Sequence, residues 1–320
     1  MKKISRCFHV WQLVILLALV LSFGLPQMVW AEYPDKPINV YVGFKAGGAT
    51  DAMARMLGKS MEAQLGQPVV IVNKAGGGGT LAATALKGCK PDGYHLAMTP
   101  TQAYTFMPRF MAIQKKATYS FGDFDYLATV GQYQLAFVGP PSVNSWQDLI
   151  AMSKKKGDLS MAGMTPIDRM VSRFIAKKEG VTIKFVPYKG GAETLSALMG
   201  GHVDFAFSGG IHVKYTAAGK MKTLLALGSK PLLADPDVPT LKQLYGIGIE
   251  GANMYALPKG TPDGIIKKLE AAVAQAVEDK AYQGLMAKIR FPINYRDHKT
   301  VSAYIAQQNE EMALLFEQLK

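Results

Sequence analysis

The sequence predicts an α/β protein whose sheets are mostly parallel. Short apolar runs alternate with amphipathic segments along the chain, and glycine-rich turns join a run to the following segment at residues 47–48 and 76–79. This alternation is typical of strand–helix–strand units on a parallel sheet. The predicted strands are residues 39–44, 69–73, 95–99, 126–130, 135–139, 159–162, 183–187, 205–208, 223–228 and 251–257.

The segments between these strands have helical periodicity. They are residues 52–65, 81–87, 145–155, 169–179, 192–199, 212–218, 262–278 and 299–319. The last two have the clearest period, and a long helix is expected to end the chain. Two proline-rich breaks, Gly139-Pro140-Pro141 and Pro236-Asp237-Val238-Pro239, interrupt the pattern.

The first 31 residues have the three regions of a bacterial secretory signal. Lys2, Lys3 and Arg6 precede an apolar run over residues 14–23, and a small-residue cleavage site ends at Ala31. The run is shorter than the roughly 20 residues that a membrane span needs. We therefore expect cleavage after Ala31 and a periplasmic mature protein.

The composition narrows the class of partner. The formal net charge is +12, of which three charges lie in the signal, so the mature chain carries +9. Its lysines and arginines are scattered and form no nucleic-acid motif, so we expect no nucleic-acid partner. The excess of positive charge fits better with an electrostatic field that attracts small anions. Cys89 is the one cysteine of the mature chain, so no internal disulfide is expected.

An ordered series of short motifs resembles one family, the periplasmic solute receptors of tripartite tricarboxylate transporters, also called the Bug family. The series runs from residue 33 nearly to the C-terminus. It comprises Tyr33-Pro34, Lys36-Pro37-Ile38, Phe44-x-Ala46-Gly47-Gly48-x-Thr50-Asp51, Leu65-Gly66-Gln67-Pro68, Asn73-Lys74-Ala75-Gly76, Pro91-Asp92-Gly93-Tyr94, Val186-Pro187-Tyr188-Lys189-Gly190, Gly201-His202-Val203-Asp204, Pro236-Asp237-Val238-Pro239-Thr240 and Pro258-x-Gly260-Thr261-Pro262.

The resemblance implies a two-lobed fold of the Venus-flytrap type, with a ligand held between two α/β lobes. Residues 32–134 and 251–320 would form the first lobe and residues 135–250 the second, with crossovers near Gly139-Pro140-Pro141 and the strand at 251–257. It also implies binding of a small organic carboxylate, which the protein delivers to membrane permease subunits. We expect a monomer. Two alternatives are a receptor that signals to a membrane partner and a secreted α/β enzyme.

The first glycine loop, residues 47–50, is the strongest candidate site. Gly47 and Gly48 would let a ligand approach the backbone amides at a helix start, and Thr50 adds a hydroxyl donor. Phe44 precedes the loop. A plain strand-to-helix turn capped by Thr50 or Asp51 is the structural alternative, and Asp51 is expected to be a cap. Lys45 departs from the family pattern and points either to solvent or into the cleft.

The second glycine loop, residues 76–80, repeats this arrangement after the next strand. Gly77, Gly78, Gly79 and Thr80 are predicted to hold a carboxylate, because four consecutive glycines cost backbone entropy that a purely structural loop would avoid. The loop lacks the Gly-Lys-Ser/Thr ending of a phosphate-binding loop. Thr99 and Thr101 end the third strand, at the edge where open α/β sheets bind ligands.

In the second lobe, the resemblance directs attention to the loops that follow the corresponding strands. Candidate ligand contacts there are Gly163, Thr165, Tyr188, Asp204 and Ser208. The structural alternatives are that Tyr188 simply ends its strand and that Asp204 only caps a turn. The segment from Gly163 to Arg169 departs from the family's glycine-serine loop, which leaves the ligand's identity open. Asp168 is expected to start a helix, and Arg169 to be exposed on it.

Nothing in the sequence points to catalysis. The histidines of the mature chain have no metal-ligand spacing, no Gly-x-Ser-x-Gly motif is present, and Cys89 has no base near it in sequence. We therefore predict a binding protein that uses no cofactor or metal and is not an enzyme. The Met53, Met56 and Met61 stripe is interpreted as core packing.

Overall fold

The computed structural model of the protein describes residues 32–319, so the predicted signal over 1–31 lies outside the described residues. Within these residues, ten strands form two sheets of five. The first sheet contains β1 (Ile38–Val42), β2 (Val69–Asn73), β3 (His95–Pro100), β4 (Phe124–Gln132) and β10 (Ala252–Pro258). The second contains β5 (Ala136–Gly139), β6 (Leu159–Gly163), β7 (Ile183–Pro187), β8 (Phe205–Ser208) and β9 (Lys222–Ala226). The α/β prediction is confirmed, and the predicted strands match these bounds within two residues.

Helices cover both sheets. They are α1 (Ala49–Leu65), α2 (Thr80–Lys87), α3 (Gln102–Thr105), α4 (Met107–Ile113), α5 (Trp146–Lys156), α6 (Pro166–Glu179), α7 (Gly191–Met199), α8 (Val213–Thr216), α9 (Leu241–Tyr245), α10 (Asp263–Val277), α11 (Lys280–Ile289) and α12 (His298–Gln318). The pattern of the sequence did not predict four of these helices, α3, α4, α9 and α11. The first three have seven residues or fewer, too short for a clear helical period.

Burial explains why α1 forms and where it stops. Met53, Leu57 and Met61 recur at four-residue spacing and have no exposed surface. This confirms core packing for Met53 and Met61 of the methionine stripe, whereas Met56 is only half-buried. Gly66 ends the helix in the left-handed conformation at φ 66°, as a C-terminal glycine commonly does. β1 lies beneath it with Ile38, Val40 and Val42 fully buried, as expected of a central parallel strand.

The two sheets share one topology. Their strand orders are β2-β1-β3-β10-β4 and β7-β6-β8-β5-β9, so the same plan occurs twice. In each sheet one strand runs antiparallel to both of its neighbours: β10 in the first and β5 in the second. These are the strands that follow the two passages of the chain between the sheets. We call the first sheet with its helices the first lobe, and the second sheet with its helices the second lobe.

The passages between the lobes lie side by side. The first is the short segment between β4 and β5, and the second joins β9 to β10. The Tyr133 amide donates to the Gly251 carbonyl at 2.8 Å, and the Leu227 amide donates to the Leu135 carbonyl at 2.9 Å. The expected crossover at Gly139-Pro140-Pro141 is wrong, because this break follows β5 and lies within the second lobe.

The C-terminal helix α12 contacts both lobes. Val301 and Ile305, in its first half, pack in the core of the first lobe. Met312 and Leu315, in its second half, pack in the apolar core that includes side chains of the second sheet. The Glu311 carboxylate also accepts from Lys242 at 2.7 Å and from the Gly248 amide at 3.3 Å. The helix therefore does not belong to the first lobe alone, as the predicted range 251–320 implied. Within residues 32–319, no helix has the length and apolarity of a membrane span.

Candidate ligand-binding cleft

A cleft of about 600 Å³ separates the carboxyl ends of the parallel strands of the two lobes. Open α/β sheets bind ligands at this edge. The first lobe and the crossing segments contribute Phe44, Gly48, Ala49, Thr50, Gly78, Pro100, Gln102, Phe106, Met107, Tyr133, Ile249 and Phe291. The second lobe and its adjoining segments contribute Leu135, Met164, Thr165, Pro166, Ile167, Asp168, Val171, Gly191, Ala192, Phe207, Gly209, Ile211 and Leu227.

The first glycine loop reaches the cleft through the start of α1. Gly48 is the N-cap residue, with extended backbone at φ −81°, and Ala49 and Thr50 follow in the first turn. Amides in the first turn of a helix have no acceptor within the helix, so they are available to an anion. The cap was expected at Thr50 or Asp51 and lies instead at Gly48. Gly47 is not among the cleft residues; its φ of 81° shapes the turn.

Asp51 holds this loop in place. Its carboxylate accepts from the Gly47 amide at 2.9 Å, from Arg55 at 3.0 Å and from the Asn73 side chain at 2.8 Å. Burial alone would raise the pKa of Asp51, but these hydrogen bonds and the Arg55 charge outweigh it and keep the pKa below its ordinary value. Asp51 is thus a structural group whose charge is neutralised. A structural role was expected, because its carboxylate would repel an acidic ligand.

Thr50 belongs to a buried polar cluster that the sequence did not reveal. Its hydroxyl donates to Asn253 Oδ1 at 3.3 Å, and the Tyr133 hydroxyl donates to the same oxygen at 2.9 Å. Burial raises the pKa of Tyr133 to about 12, so its hydroxyl keeps its proton. Gln102, which also borders the cleft, donates to the Glu250 carbonyl at 2.9 Å. The feature of the sequence that could have indicated this cluster is Asn253, a polar residue within the apolar run of β10.

The second glycine loop is largely structural. Gly76, Gly77, Gly78 and Gly79 all have positive φ, which favours glycine at each position. A Cβ on Gly79 would also lie 3.1 Å from the Thr99 Cβ. Gly78 is the member of the loop that borders the cleft, and the Thr80 hydroxyl donates to the Gly77 carbonyl at 2.6 Å. The backbone conformation already favours these glycines, so four consecutive glycines do not by themselves indicate a ligand cradle.

Thr99 and Thr101 lie behind the cleft surface. Both are almost completely buried. The Thr101 amide donates to the Ala252 carbonyl at 2.9 Å, and its Oγ1 accepts from the Ala252 amide at 3.3 Å. These bonds join the end of β3 to β10. The two threonines position the cleft wall and do not border the cleft.

Thr165 and Asp168 form the start of α6 in the second lobe. The helix begins at Pro166, three residues earlier than predicted, with Thr165 as its N-cap. The Thr165 hydroxyl donates to Asp168 Oδ1 at 2.6 Å, and the amides of Met164 and Thr165 donate to Asp168 Oδ2 at 2.8 and 2.9 Å. Burial raises the pKa of Asp168 to about 6 despite these hydrogen bonds.

The remaining second-lobe candidates lie outside the cleft lining. Asp204 accepts from the Ser160 amide and from Lys156, both at 2.7 Å, at the amino end of β6 and so at the opposite strand ends. Tyr188 is half-buried and packs against the apolar core beside α7. A Cβ on Gly163 would lie 2.4 Å from the Phe185 ring. None of the three residues lines the cleft, so these placements do not support their predicted contact with ligand.

Ser208 is buried beneath the loop that borders the cleft. Its hydroxyl oxygen lies 2.9 Å from His212 Nδ1 and accepts from the Gly210 and His212 amides at 3.3 Å. Burial lowers the pKa of His212 to about 4, so the imidazole is neutral. Ser208 therefore supports Gly209 and Ile211, which border the cleft, and does not border it itself. Lys45 is exposed and is not among the cleft residues.

Two lobes of equal topology, with a cleft at their carboxyl strand ends, are the architecture expected of a solute-binding receptor. Residues 53–320 match the family described as the tripartite tricarboxylate transporter family receptor. The chain belongs to this family, whose receptors are periplasmic and are not enzymes.

Individual relatives agree with this assignment. The chain is 32% identical over 305 residues to a Cupriavidus necator protein of the UPF0065 group, covering 92% of this chain and 91% of that one. A solved solute-binding receptor of the same family from Polaromonas is 25% identical, with a TM-score of 0.75 over 90% of this chain and 100% of that one. The periplasmic binding protein BugD is 26% identical, with a TM-score of 0.70 over 90% of this chain and 98% of that one.

Proposed function

We propose that this receptor captures a small organic carboxylate in the cleft between its lobes and delivers it to the permease subunits of a tripartite tricarboxylate-type transporter. The observation that carries the proposal is the start of α1 at the cleft. Its 17 residues direct a helix dipole, with the first-turn amides of Ala49 and Thr50, at this space. Such a helix start favours a carboxylate by both charge and hydrogen bonding.

Two further features support a carboxylate. Two structures with the same fold, 24% and 20% identical and each with a TM-score of 0.71, were solved with malate and with adipate, both carboxylates. A groove of about 650 Å³ shares Met164, Thr165 and Pro166 with the cleft and is lined in part by Arg169 and Arg173. Exposed guanidinium groups there raise the local concentration of an approaching anion.

Mass spectrometry of the protein purified from the periplasm tests the proposal. A carboxylic acid should be recovered at close to one molecule per chain, and calorimetry with that acid should give saturable binding. The acid should be released from the protein chemically unchanged, whereas an enzyme would convert it into a product. Saturable binding of a neutral or cationic solute, with no acid bound, would refute the proposal.

Delivery requires a separate test. Deletion of the permease genes should abolish uptake of the acid by cells while calorimetric binding to the receptor persists. Unimpaired uptake in that strain, together with a ligand-dependent change in gene expression, would favour the alternative of a signalling receptor.

A further inference from the structure

We propose that the ligand is a monocarboxylate with an uncharged, apolar body, whose carboxylate binds at the start of α1 and whose body lies against the second lobe. This inference rests on the proposed function and adds the substrate class. It depends on three properties of the cleft: the charge of its lining residues, the state of the helix starts in the second lobe, and the apolar surface between the lobes.

The cleft is lined by an acidic side chain and no basic one. Among its described lining residues, Asp168 and Tyr133 are the titratable groups, and no lysine, arginine or histidine borders it. In the first lobe the nearby Asp51 charge is paired with Arg55 at 3.0 Å. Asp168 takes part in none of the ion pairs found among residues 32–319. The second-lobe side of the cleft therefore carries an unpaired negative charge.

Asp168 also occupies the place where α6 would bind a second acid. Its carboxylate already accepts from the Met164 and Thr165 amides and from the Thr165 hydroxyl. Pro166, the first residue of the helix, has no N–H to donate. The Asp168 amide donates back to Thr165 Oγ1 at 3.4 Å, so Ile167 alone retains a first-turn donor ahead of Arg169. The protein's own carboxylate thus fills this anion position.

The start of α7 brings an acid of its own. Gly191 and Ala192 border the cleft, but the Glu193 carboxylate lies in the same turn and accepts from the Lys189 amide at 3.1 Å. An ionised group at the far end of a ligand would meet Asp168 at the cleft and the charge of Glu193 close to it, in the turn that borders the cleft through Gly191 and Ala192. It would also lose its water against apolar side chains, which is costly for an unpaired charge.

The surface between the two lobes is apolar and suits a hydrocarbon body. Phe106 and Phe291 border it from the first lobe, and Met164, Phe207 and Ile211 from the second. Such walls stabilise an apolar body in proportion to the area that is removed from water. They offer few partners to a hydroxyl or a second carboxylate.

Three probes of equal chain length test the inference directly. Hexanoate, adipate and 6-aminohexanoate differ in their far end, which is a methyl group, a carboxylate and an ammonium group. By calorimetry on the ligand-free protein, hexanoate should bind at least tenfold tighter than adipate, whose second carboxylate meets no basic side chain among the described residues that line the cleft. It should also bind tighter than 6-aminohexanoate, because the completely buried oxygens of Asp168 already accept from the α6 start and do not reach a ligand ammonium group, which would lose its water without a partner. 4-Phenylbutanoate, with a larger apolar body, should bind tighter than hexanoate.

The failures of the two proposals are distinguishable. Tighter binding of adipate or of 6-aminohexanoate overturns the inference and leaves carboxylate capture intact. If no straight-chain or phenyl-substituted monocarboxylate binds while a di- or tricarboxylate does, the inference is likewise overturned. If carboxylates of every kind fail to bind, the proposed function itself is refuted.

Asp168→Asn isolates the charge. The amide oxygen keeps an acceptor for the α6 start while the negative charge is removed. The preference for hexanoate over adipate should fall by about tenfold. Asp204→Asn, in the same lobe but at the opposite strand ends, is the matched control and should keep the wild-type ratio. An unchanged ratio in a folded Asp168→Asn protein would contradict the role of Asp168.

Discussion

Gly48 borders the cleft immediately before the amides of Ala49 and Thr50, so its lack of a side chain is central to the proposed site. Its φ of −81° is accessible to any residue, and a Cβ there would lie 3.4 Å from the Lys45 carbonyl. We therefore expect Gly48→Val to fold with little change in melting temperature, since no strained conformation is forced. Its branched side chain should block the amides and weaken carboxylate binding at least tenfold, measured by calorimetry.

Gly264→Val is the control for Gly48→Val. Gly264 is an exposed glycine in the first turn of α10, outside the cleft, with open space around it. Its replacement should leave carboxylate affinity at the wild-type value. Undiminished affinity in Gly48→Val would refute the α1 start as the binding site.

Asp168 should give a distinctive pH dependence of stability. Its pKa is about 6 in the folded protein against an ordinary value of 3.8, so the folded state binds more protons between these pH values. The free energy of unfolding should therefore fall as pH rises from 4 to 6 and level off above, by up to about 3 kcal/mol. Urea unfolding of the wild type and Asp168→Asn across pH 4–7 measures this difference.

The comparison with Asp168→Asn removes the contributions of other carboxylates. Asp51 and Asp204 have lowered pKa values, so the stability they provide is lost as pH falls below their ordinary range, which is the opposite sign. These contributions are common to both proteins and cancel in the difference. A difference between the two proteins that is constant with pH would contradict the raised pKa of Asp168.

At the scale of elements, Asn253 of β10 connects this strand to the start of α1 and to the segment between β4 and β5. It is fully buried and accepts from both Thr50 and Tyr133. Asn253→Leu should lower the free energy of unfolding by about 1–3 kcal/mol, because two buried hydroxyls lose their acceptor. Carboxylate binding should weaken as well, since Thr50 borders the cleft. Chemical denaturation and calorimetry measure the two effects.

Two companion variants make the Asn253 test specific. Adding Tyr133→Phe to Asn253→Leu should cost less than the sum of the single changes, because one hydroxyl no longer lacks an acceptor. Asn144→Leu, at an exposed asparagine outside the cleft, should leave affinity unchanged. Strictly additive effects would contradict a shared hydrogen-bond cluster.

For the whole molecule, the two-lobed architecture predicts that the lobes close around the ligand when it binds. The two passages of the chain between the sheets and α12 connect the lobes. A ligand in the cleft would contact both faces and stabilise the closed arrangement. Solution scattering should show a smaller radius of gyration with the tightest-binding carboxylate at saturation than without it. Gly48→Val under the same conditions should show no decrease. An unchanged radius in the saturated wild type would contradict a hinge.

Much of the architecture was determined by the sequence alone. Apolar runs such as that of β1, the spacing of Met53, Leu57 and Met61 in α1, and the glycine turns after strands are local patterns. Local patterns suffice because strand and helix periodicity follow from backbone geometry. The ordered motifs added the family, and the family added the two-lobed fold and the class of receptor.

The tertiary structure decided which predicted site residues reach the cleft. Phe44, Gly48, Thr50, Gly78 and Thr165 border it, whereas Gly47, Gly77, Gly79, Thr80, Thr99, Thr101, Gly163, Tyr188, Asp204 and Ser208 support its walls or lie elsewhere. Asn253 joins Thr50 from 203 positions away, and no local pattern reports such a contact. A sequence shows which side chains can donate or accept, but partners and burial are set only when distant segments pack together.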